Sequence, residues 1–101
     1  MFLDTERLAA MDGDAFRDTH PYPWANPADL LTATGYRTLI EHLPDVSVFK
    51  PVFGRSRKHG QQSHDRYALE WHDDLPVSDA WKEFVDELRG PEYQDFLARM
   101  I

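Results

Sequence analysis

The motif with the most specific chemical meaning is His72-Asp73-Asp74, in which a histidine and a carboxylate lie two residues apart. This H-x-D spacing supplies two of the three ligands of a 2-His-1-carboxylate iron site. The site needs a second histidine, but no histidine follows His72, so one of the four upstream histidines would have to supply it. A strand that ends in an acidic turn explains the same residues. We therefore do not assign His72 and Asp74 as ligands and predict no metal site in this chain.

Residues 50–66 form a cationic segment in a chain whose net charge is −7. The segment holds five basic residues and one acidic residue, and residues 54–65 within it are predicted to be a polar, basic loop. Glycines at both ends of the arginine-rich run would let backbone N–H groups converge on a phosphate or carboxylate. The candidate anion-binding residues are Lys50, Arg55, Arg57 and Lys58. Charge compensation on a solvated loop is the alternative, because the run matches no phosphate-loop motif.

Four functional side chains are adjacent in His64-Asp65-Arg66-Tyr67, where a predicted strand begins. The guanidinium of Arg66 could grip a carboxylate through its two-pronged geometry, or it could pair locally with Asp65. A lone local ion pair at the start of a strand is more often structural than functional.

Composition excludes several classes of protein. The chain has 101 residues (11.8 kDa) and no cysteine, which excludes disulfide scaffolds, thiolate zinc sites and cysteine nucleophiles. It contains neither a G-x-S-x-G nor an H-E-x-x-H motif, so hydrolase chemistry has no support. The acidic balance argues against a nucleic-acid-binding protein. We find no signal peptide and no membrane-spanning run, and we expect a cytoplasmic protein.

Hydrophobic periodicity predicts a helix-rich α+β unit with about four helices and a small strand pair. The first helix is predicted from Asp4 or Thr5 to about Asp18, and the aromatic residues Tyr22 and Trp24 are expected to pin the following proline-rich segment to a core. The other expected elements are a helix from Thr32 or Thr34 to Pro44, an edge strand over 46–53, a strand over 66–72, and two helices that begin near Ser78 and at Pro91.

Several short motifs follow one another in a fixed order along residues 19–101. They are His20-Pro21-Tyr22-Pro23, Leu31-Thr32, His42-Leu43-Pro44, Val48-Phe49, Phe53-Gly54, the run from His64 to Glu70, Trp81-Lys82-Glu83-Phe84, Glu87-Leu88, Tyr93 and Phe96-Leu97. This ordered set resembles the opening of bacterial 2-oxoglutarate/Fe(II)-dependent oxygenases of the prolyl-hydroxylase-like type.

The resemblance implies a double-stranded β-helix that binds Fe(II) through H-x-D and a later histidine, and 2-oxoglutarate through a downstream arginine or lysine. A segment like the present one precedes that β-helix and supports it. Because His72 and Asp74 come before the Trp81 helix instead of after it, no iron or 2-oxoglutarate ligand is transferred to this chain. Fe(II) and 2-oxoglutarate are therefore implied for the full-length family only, and Arg66 and Tyr67 are candidates for facing its substrate pocket.

We accordingly expect residues 1–101 to be a single N-terminal supporting domain that is not catalytic alone. An apolar stripe over residues 93–101 is expected to be exposed and to contact the remainder of an oxygenase or a second copy of the chain. Two alternatives remain open: a free-standing interaction module that uses this stripe, and a small anion-binding protein that uses residues 50–66.

Overall fold

The computed structural model describes residues 1–54 and 65–101. Two compact units are distinguished, one formed by Met1–His42 and Asp79–Ile101 and the other by Leu43–Ser78. The described residues form five α-helices and a two-stranded antiparallel sheet, so the predicted α+β, helix-rich fold class is confirmed. None of the helices in these two ranges has both the length and the apolar composition that crossing a bilayer requires.

The first unit is built from helices. They are α1 (Thr5–Ala10), α2 (Gly13–Arg17), α3 (Ala33–Glu41), α4 (Asp79–Leu88) and α5 (Pro91–Met100). Its core consists of Leu3, Leu8, Phe96 and Met100, with partly buried side chains of α4 and α5 packed around them.

The N-terminal helix predicted as one element is two. The Asp4 carboxylate caps α1 by accepting a hydrogen bond from the Arg7 N–H, as expected. Asp12 then adopts an extended backbone (φ −90°, ψ 107°) and caps α2 by accepting from the Ala15 N–H. An aspartate that satisfies free N–H groups in this way competes with helix continuation. The helix therefore breaks before Gly13, and the predicted continuous helix is wrong at this point.

The proline-rich segment between α2 and α3 contains no helix, as its prolines predict. Its aromatic residues do not anchor it, however. Tyr22 is 66% exposed and Trp24 is 54% exposed, so the expectation that they pin the segment to a core is wrong.

The helix α3 begins where the sequence indicates, because the Thr32 hydroxyl accepts a hydrogen bond from the Gly35 N–H at 3.0 Å. The close approach of Phe2 explains the glycine, since a Cβ on Gly35 would lie 2.9 Å from the Phe2 Cα. The sequence places Tyr36, Leu39, Ile40 and Leu43 at helical spacing on one apolar stripe, but only Leu39 of these is buried.

The two C-terminal helices match their predicted starts and apolar faces, and Pro91 is the first residue of α5. Phe96 and Met100 are buried against α1, with Leu97 and Tyr93 packed beside them. The stripe over 93–101 is thus core, and the expectation that it is exposed is wrong except at Ile101, which is 85% exposed.

The second unit holds a short 3-10 helix and both strands. The 3-10 helix covers Val46–Val48, and strand β1 (Lys50–Val52) pairs antiparallel with β2 (Arg66–Ala68). The observed strand β2 is therefore shorter than the strand that the alternating pattern predicts over 66–72. Asp45 caps the 3-10 helix, and the hydrogen bonds it accepts from the Ser47 backbone N–H and from the Ser47 hydroxyl lower the pKa of its carboxyl group.

Candidate functional site

An open groove lies in the first unit, between the end of the proline-rich segment and the start of α3. Its volume is about 520 Å³, which is within the range of ligand-binding clefts. Five of its six lining residues are apolar or aromatic, and Asp29 is the charged one. The lining consists of Pro27, Asp29, Leu30, Leu31, Ala33 and Tyr36.

One side of this groove is a short piece of β-structure. Leu31 forms an antiparallel bridge with Leu3. The two flanking hydrogen bonds, each 2.8 Å long, run from the Asp4 N–H to the Leu30 carbonyl and from the Thr32 N–H to the Phe2 carbonyl. In such a pair, the N–H and C=O of the central residues point away from each other. Leu31 therefore directs its own backbone groups to the outer edge, and they have no hydrogen-bond partner among the described residues.

The inner strand of this pair is held by a carboxylate. The Glu87 side chain on α4 accepts hydrogen bonds from the Phe2 N–H at 2.8 and 2.9 Å and from the Leu3 N–H at 2.9 Å. Charge-assisted bonds of this type are stronger than neutral ones. The Leu3 strand, and with it the Leu31 edge, is therefore fixed to the helical core.

The groove also contains an unusual backbone conformation. Asp29 has a φ of 63° and is the one non-glycine residue with positive φ among the described residues. Aspartate tolerates this left-handed region better than most residues, but the conformation is uncommon and is enriched at functional sites. It directly precedes Leu30 and Leu31.

Next to the groove, α3 presents an apolar surface that the rest of the first unit does not cover. Tyr36 is 57% exposed and Ile40 is 48% exposed, whereas Leu39, at the edge of the same apolar face, is 4% exposed. The helix α3 is held to α4 at this residue, because the indole N–H of Trp81 donates a hydrogen bond to the Leu39 carbonyl at 3.2 Å. We define Tyr36 and Ile40 as the α3 apolar surface.

The H-x-D motif is exposed in the second unit. Both His72 and Asp74 are exposed, and the His72 carbonyl accepts a hydrogen bond from the Leu75 N–H across the acidic turn. Within residues 1–54 and 65–101, no group of three histidine, aspartate or glutamate side chains is arranged to hold a metal ion. The prediction that Fe(II) and 2-oxoglutarate belong to a longer protein stays a prediction.

The anion-binding candidates are only partly within the described residues. Lys50 is exposed on β1, whereas Arg55, Arg57 and Lys58 lie outside the described ranges. In the β1–β2 register, Lys50 is opposite Ala68 and Val52 is opposite Arg66, so Lys50 and Arg66 extend from the same face of the pair. An anion site in this segment stays a prediction.

The candidates for facing a substrate lie on β2. Tyr67 is 57% exposed, and its ring meets the edge of Phe53 with 5.4 Å between ring centroids and an interplanar angle of 89°. The Asp65 carboxylate, just before the strand, accepts from the Gly54 N–H at 2.8 Å, and Gly54 has a φ of 65°. These contacts join the end of β1 to the start of β2, and the role of Arg66 and Tyr67 toward a substrate stays a prediction.

Comparison with known protein families, with characterised proteins and with solved structures finds no match to this chain. The resemblance to oxygenases therefore depends on the sequence motifs alone.

Sequence reasoning missed the groove. The sequence pattern assigns no role to Leu30, and it uses Leu31 only in the Leu31-Thr32 motif, whereas the structure places both beside a cavity, with Leu31 on a free edge. The available signal was local: Asp29, which can adopt a left-handed conformation, precedes two leucines that are followed by a helix cap at Thr32.

Proposed function

We propose that this chain is a supporting, non-catalytic part of a 2-oxoglutarate/Fe(II)-dependent oxygenase of the hydroxylase type. The observation that carries the proposal is the α3 apolar surface, Tyr36 and Ile40, which is about half exposed on a helix that is held to the core at the neighbouring Leu39. In this proposal the α3 apolar surface packs against the catalytic β-helix. Burying such side chains is favourable by about 25 cal/mol for each Å² of apolar area removed from water.

The layer beneath the α3 apolar surface suits a supporting role because aromatic rings hold it together. The Phe84 ring on α4 meets Phe2 edge-on at 6.1 Å and Trp81 edge-on at 5.9 Å between ring centroids. Pairs of this geometry contribute about 0.5–1.5 kcal/mol beyond the area they bury. A rigid base of this kind would keep α3 in one position and so position whatever packs on it.

In the parent enzyme, oxidative decarboxylation of 2-oxoglutarate would be coupled to hydroxylation of a substrate. The proposal assigns the iron and 2-oxoglutarate ligands to further sequence and assigns this chain the packing role. The ordered motifs between residues 19 and 101 support the family, and the absence of cysteine supports the cytoplasmic location that we propose.

Two measurements test this proposal. The first is the coding sequence beyond the Ile101 codon, where we expect an in-frame continuation with an H-x-D motif and a later histidine. The second is an anaerobic Fe(II) titration of the 101-residue chain with 2-oxoglutarate present, where we expect no stoichiometric binding. Tight binding of one Fe(II) per chain would contradict the proposal, because the metal ligands would then lie within these residues.

The packing role has its own test in the continued protein. Replacing Ile40 by Asp places a charge in the proposed interface, so we expect lower turnover and a lower Tm. Arg37→Asp is the matched control, since Arg37 is exposed on the same helix and is not apolar. Equal effects of the two substitutions would exclude the α3 apolar surface as the contact with a catalytic core.

A further inference from the structure

We propose that the groove beside Leu31 is a docking site for an extended segment of a partner protein that carries alternating basic and apolar residues. The segment would add as a strand to the outer edge of Leu31 and place an apolar side chain in the groove. The inference goes beyond the proposed function, because it identifies the chemistry of a ligand and does not require the partner to be an oxygenase.

The backbone of Leu31 supplies the first reason. Its N–H and C=O point outward from the bridge with Leu3, and neither has a partner among the described residues. An added strand pairs with free backbone groups of this kind, and here a single residue offers both a donor and an acceptor on the edge. Main-chain hydrogen bonds then give affinity without requiring a particular side chain at that position.

The groove supplies the second reason. It lies directly beside this edge, has a volume of about 520 Å³, and is lined by Pro27, Leu30, Ala33 and Tyr36 among others. Side chains of an added strand alternate between its two faces, so every second residue can enter the groove. The lining favours an apolar side chain there, and the exposed Tyr36 ring can cover it.

Charge supplies the third reason and decides the chemistry of the partner. The unit that contains the groove has thirteen acidic and six basic side chains, and Asp29 is the charged residue in the groove lining. A basic segment is attracted to this surface and an acidic one is repelled. Basic residues in alternation with apolar ones would therefore lie along the rim while the apolar ones are buried.

The edge is also prepared for binding. Because the Glu87 carboxylate holds the Phe2 and Leu3 N–H groups, the inner strand is fixed before any partner arrives. Binding to a fixed edge avoids the entropic cost of ordering it.

The test uses the 101-residue chain labelled with ¹⁵N and the peptide acetyl-Lys-Val-Lys-Leu-Lys-amide. We expect saturable chemical-shift changes at residues 27–36, with a Kd between about 10 μM and 1 mM because the contact is small. The peptide in which glutamate replaces each lysine should bind at least about tenfold more weakly at low salt. No saturation below about 5 mM, or equal binding of the acidic peptide, would overturn the proposal.

Backbone pairing is tested with two N-methylated peptides, one methylated on its apolar residues and the other on its lysines. Successive N–H groups of a strand point to opposite edges, so only one of the two series can face Leu31. We expect that one peptide to lose about threefold to tenfold in affinity, the value of a single hydrogen bond, and the other to keep its affinity. Retention of full affinity by both peptides would exclude an added strand.

Protein variants locate the site. Tyr36→Ala and Asp29→Asn should each weaken binding by about threefold to tenfold, since the first removes the groove wall and the second its charge. Asparagine also tolerates the left-handed backbone at position 29. Ile40→Ala is the matched control, because Ile40 is exposed on α3 but does not line the groove, and its affinity should stay within about twofold. Loss of binding in Ile40→Ala together with retention in Tyr36→Ala would place the peptide elsewhere and refute the site.

Discussion

Replacement of Arg99 by alanine should be one of the most destabilising changes of an exposed side chain in the first unit. Arg99, in the last turn of α5, donates from Nη2 to the Leu8 carbonyl at 2.7 Å and from Nη1 to the Ala9 and Met11 carbonyls at 3.0 and 3.3 Å. These acceptors lie at the C-terminal end of α1, where the last carbonyl groups of any helix lack partners within it. A helix of six residues has little stability of its own, so α1 depends on such external contacts.

The expected magnitude follows from these bonds and their exposure. Hydrogen bonds to a charged group contribute about 1.5–3 kcal/mol when they are shielded from water and less than 1 kcal/mol when they are exposed. The bond to Leu8 is partly buried and the other two are exposed, and the guanidinium lies 6.0 Å from the Phe96 ring centroid. We therefore expect Arg99→Ala to lower the free energy of unfolding by about 2 kcal/mol, which in a chain of this size lowers Tm by about 10 °C.

Urea unfolding followed by far-UV circular dichroism and by tryptophan fluorescence measures this loss. The free energy of unfolding of Arg99→Lys should lie between those of Arg99→Ala and the wild type, because one ammonium group cannot reach three carbonyls in a fixed plane. Arg37→Ala is the matched control: it removes the same charge from an exposed helix position whose side chain makes no hydrogen bond within the described part of the chain. An Arg99→Ala variant within about 0.5 kcal/mol of the Arg37→Ala control would refute the capping argument.

Three further changes have defined outcomes. Glu87→Ala should cost about 1–3 kcal/mol and accelerate hydrogen exchange at the Phe2 amide, measured by NMR, because the backbone N–H groups that it holds lose their acceptor. Gly35→Ala should destabilise by about 1–3 kcal/mol in a thermal melt despite the better helix propensity of alanine, because its Cβ would lie within contact distance of the Phe2 backbone. Asp45 has a folded-state pKa below its ordinary value. Its contribution to the free energy of unfolding is therefore present above about pH 4 and is lost as the pH falls through the lowered pKa. An NMR titration of the Ser47 amide should show this step, and the Asp45→Asn variant should lack it.

Helix boundaries were predictable from sequence wherever a cap or a proline defines them. Asp4 and Thr32 cap α1 and α3, and Pro91 is the first residue of α5, as their residue types predict. The break at Asp12 was not predicted. Gly13 has a low helix propensity, but the physical cause of the break is the preceding aspartate, whose side chain accepts a hydrogen bond from the first turn of a new helix. Capping by the Asp12 side chain is favoured over continuation of a single longer helix, and the periodicity of apolar residues carries no information on this balance.

Burial was harder to predict than secondary structure. The spacing of Tyr36, Leu39 and Ile40 correctly predicts a helix with an apolar face, but it does not say how much of that face other elements cover. In the structure Leu39 is buried and its two neighbours are not. The reverse holds for residues 93–101, which are expected to be exposed, whereas Phe96 and Met100 are buried against residues near the N-terminal end of the chain. Contacts between residues so far apart in sequence are not visible in a local pattern.

The charged side chains of the first unit indicate where a partner can bind. Arg99 donates to carbonyl groups at the end of α1. Arg17 donates to the Arg99 carbonyl at 2.6 Å, at the end of α5, and also pairs with Asp14. Glu87 is used on the N-terminal strand. These side chains complete the backbone hydrogen bonding of short elements on the α1–α5 side, and their polar atoms are engaged there. The Arg7 Nε donates to the Ala28 carbonyl at 3.1 Å, but the backbone N–H and C=O of Leu31 have no such partner within the described residues. They lie near a charged residue, Asp29, whose carboxylate makes no hydrogen bond in the same part of the chain. A partner that supplies backbone hydrogen-bonding groups and positive charge would satisfy the Leu31 edge in the way that the arginines satisfy the helix ends. We therefore expect a partner to bind at the Leu31 edge and not on the α1–α5 side.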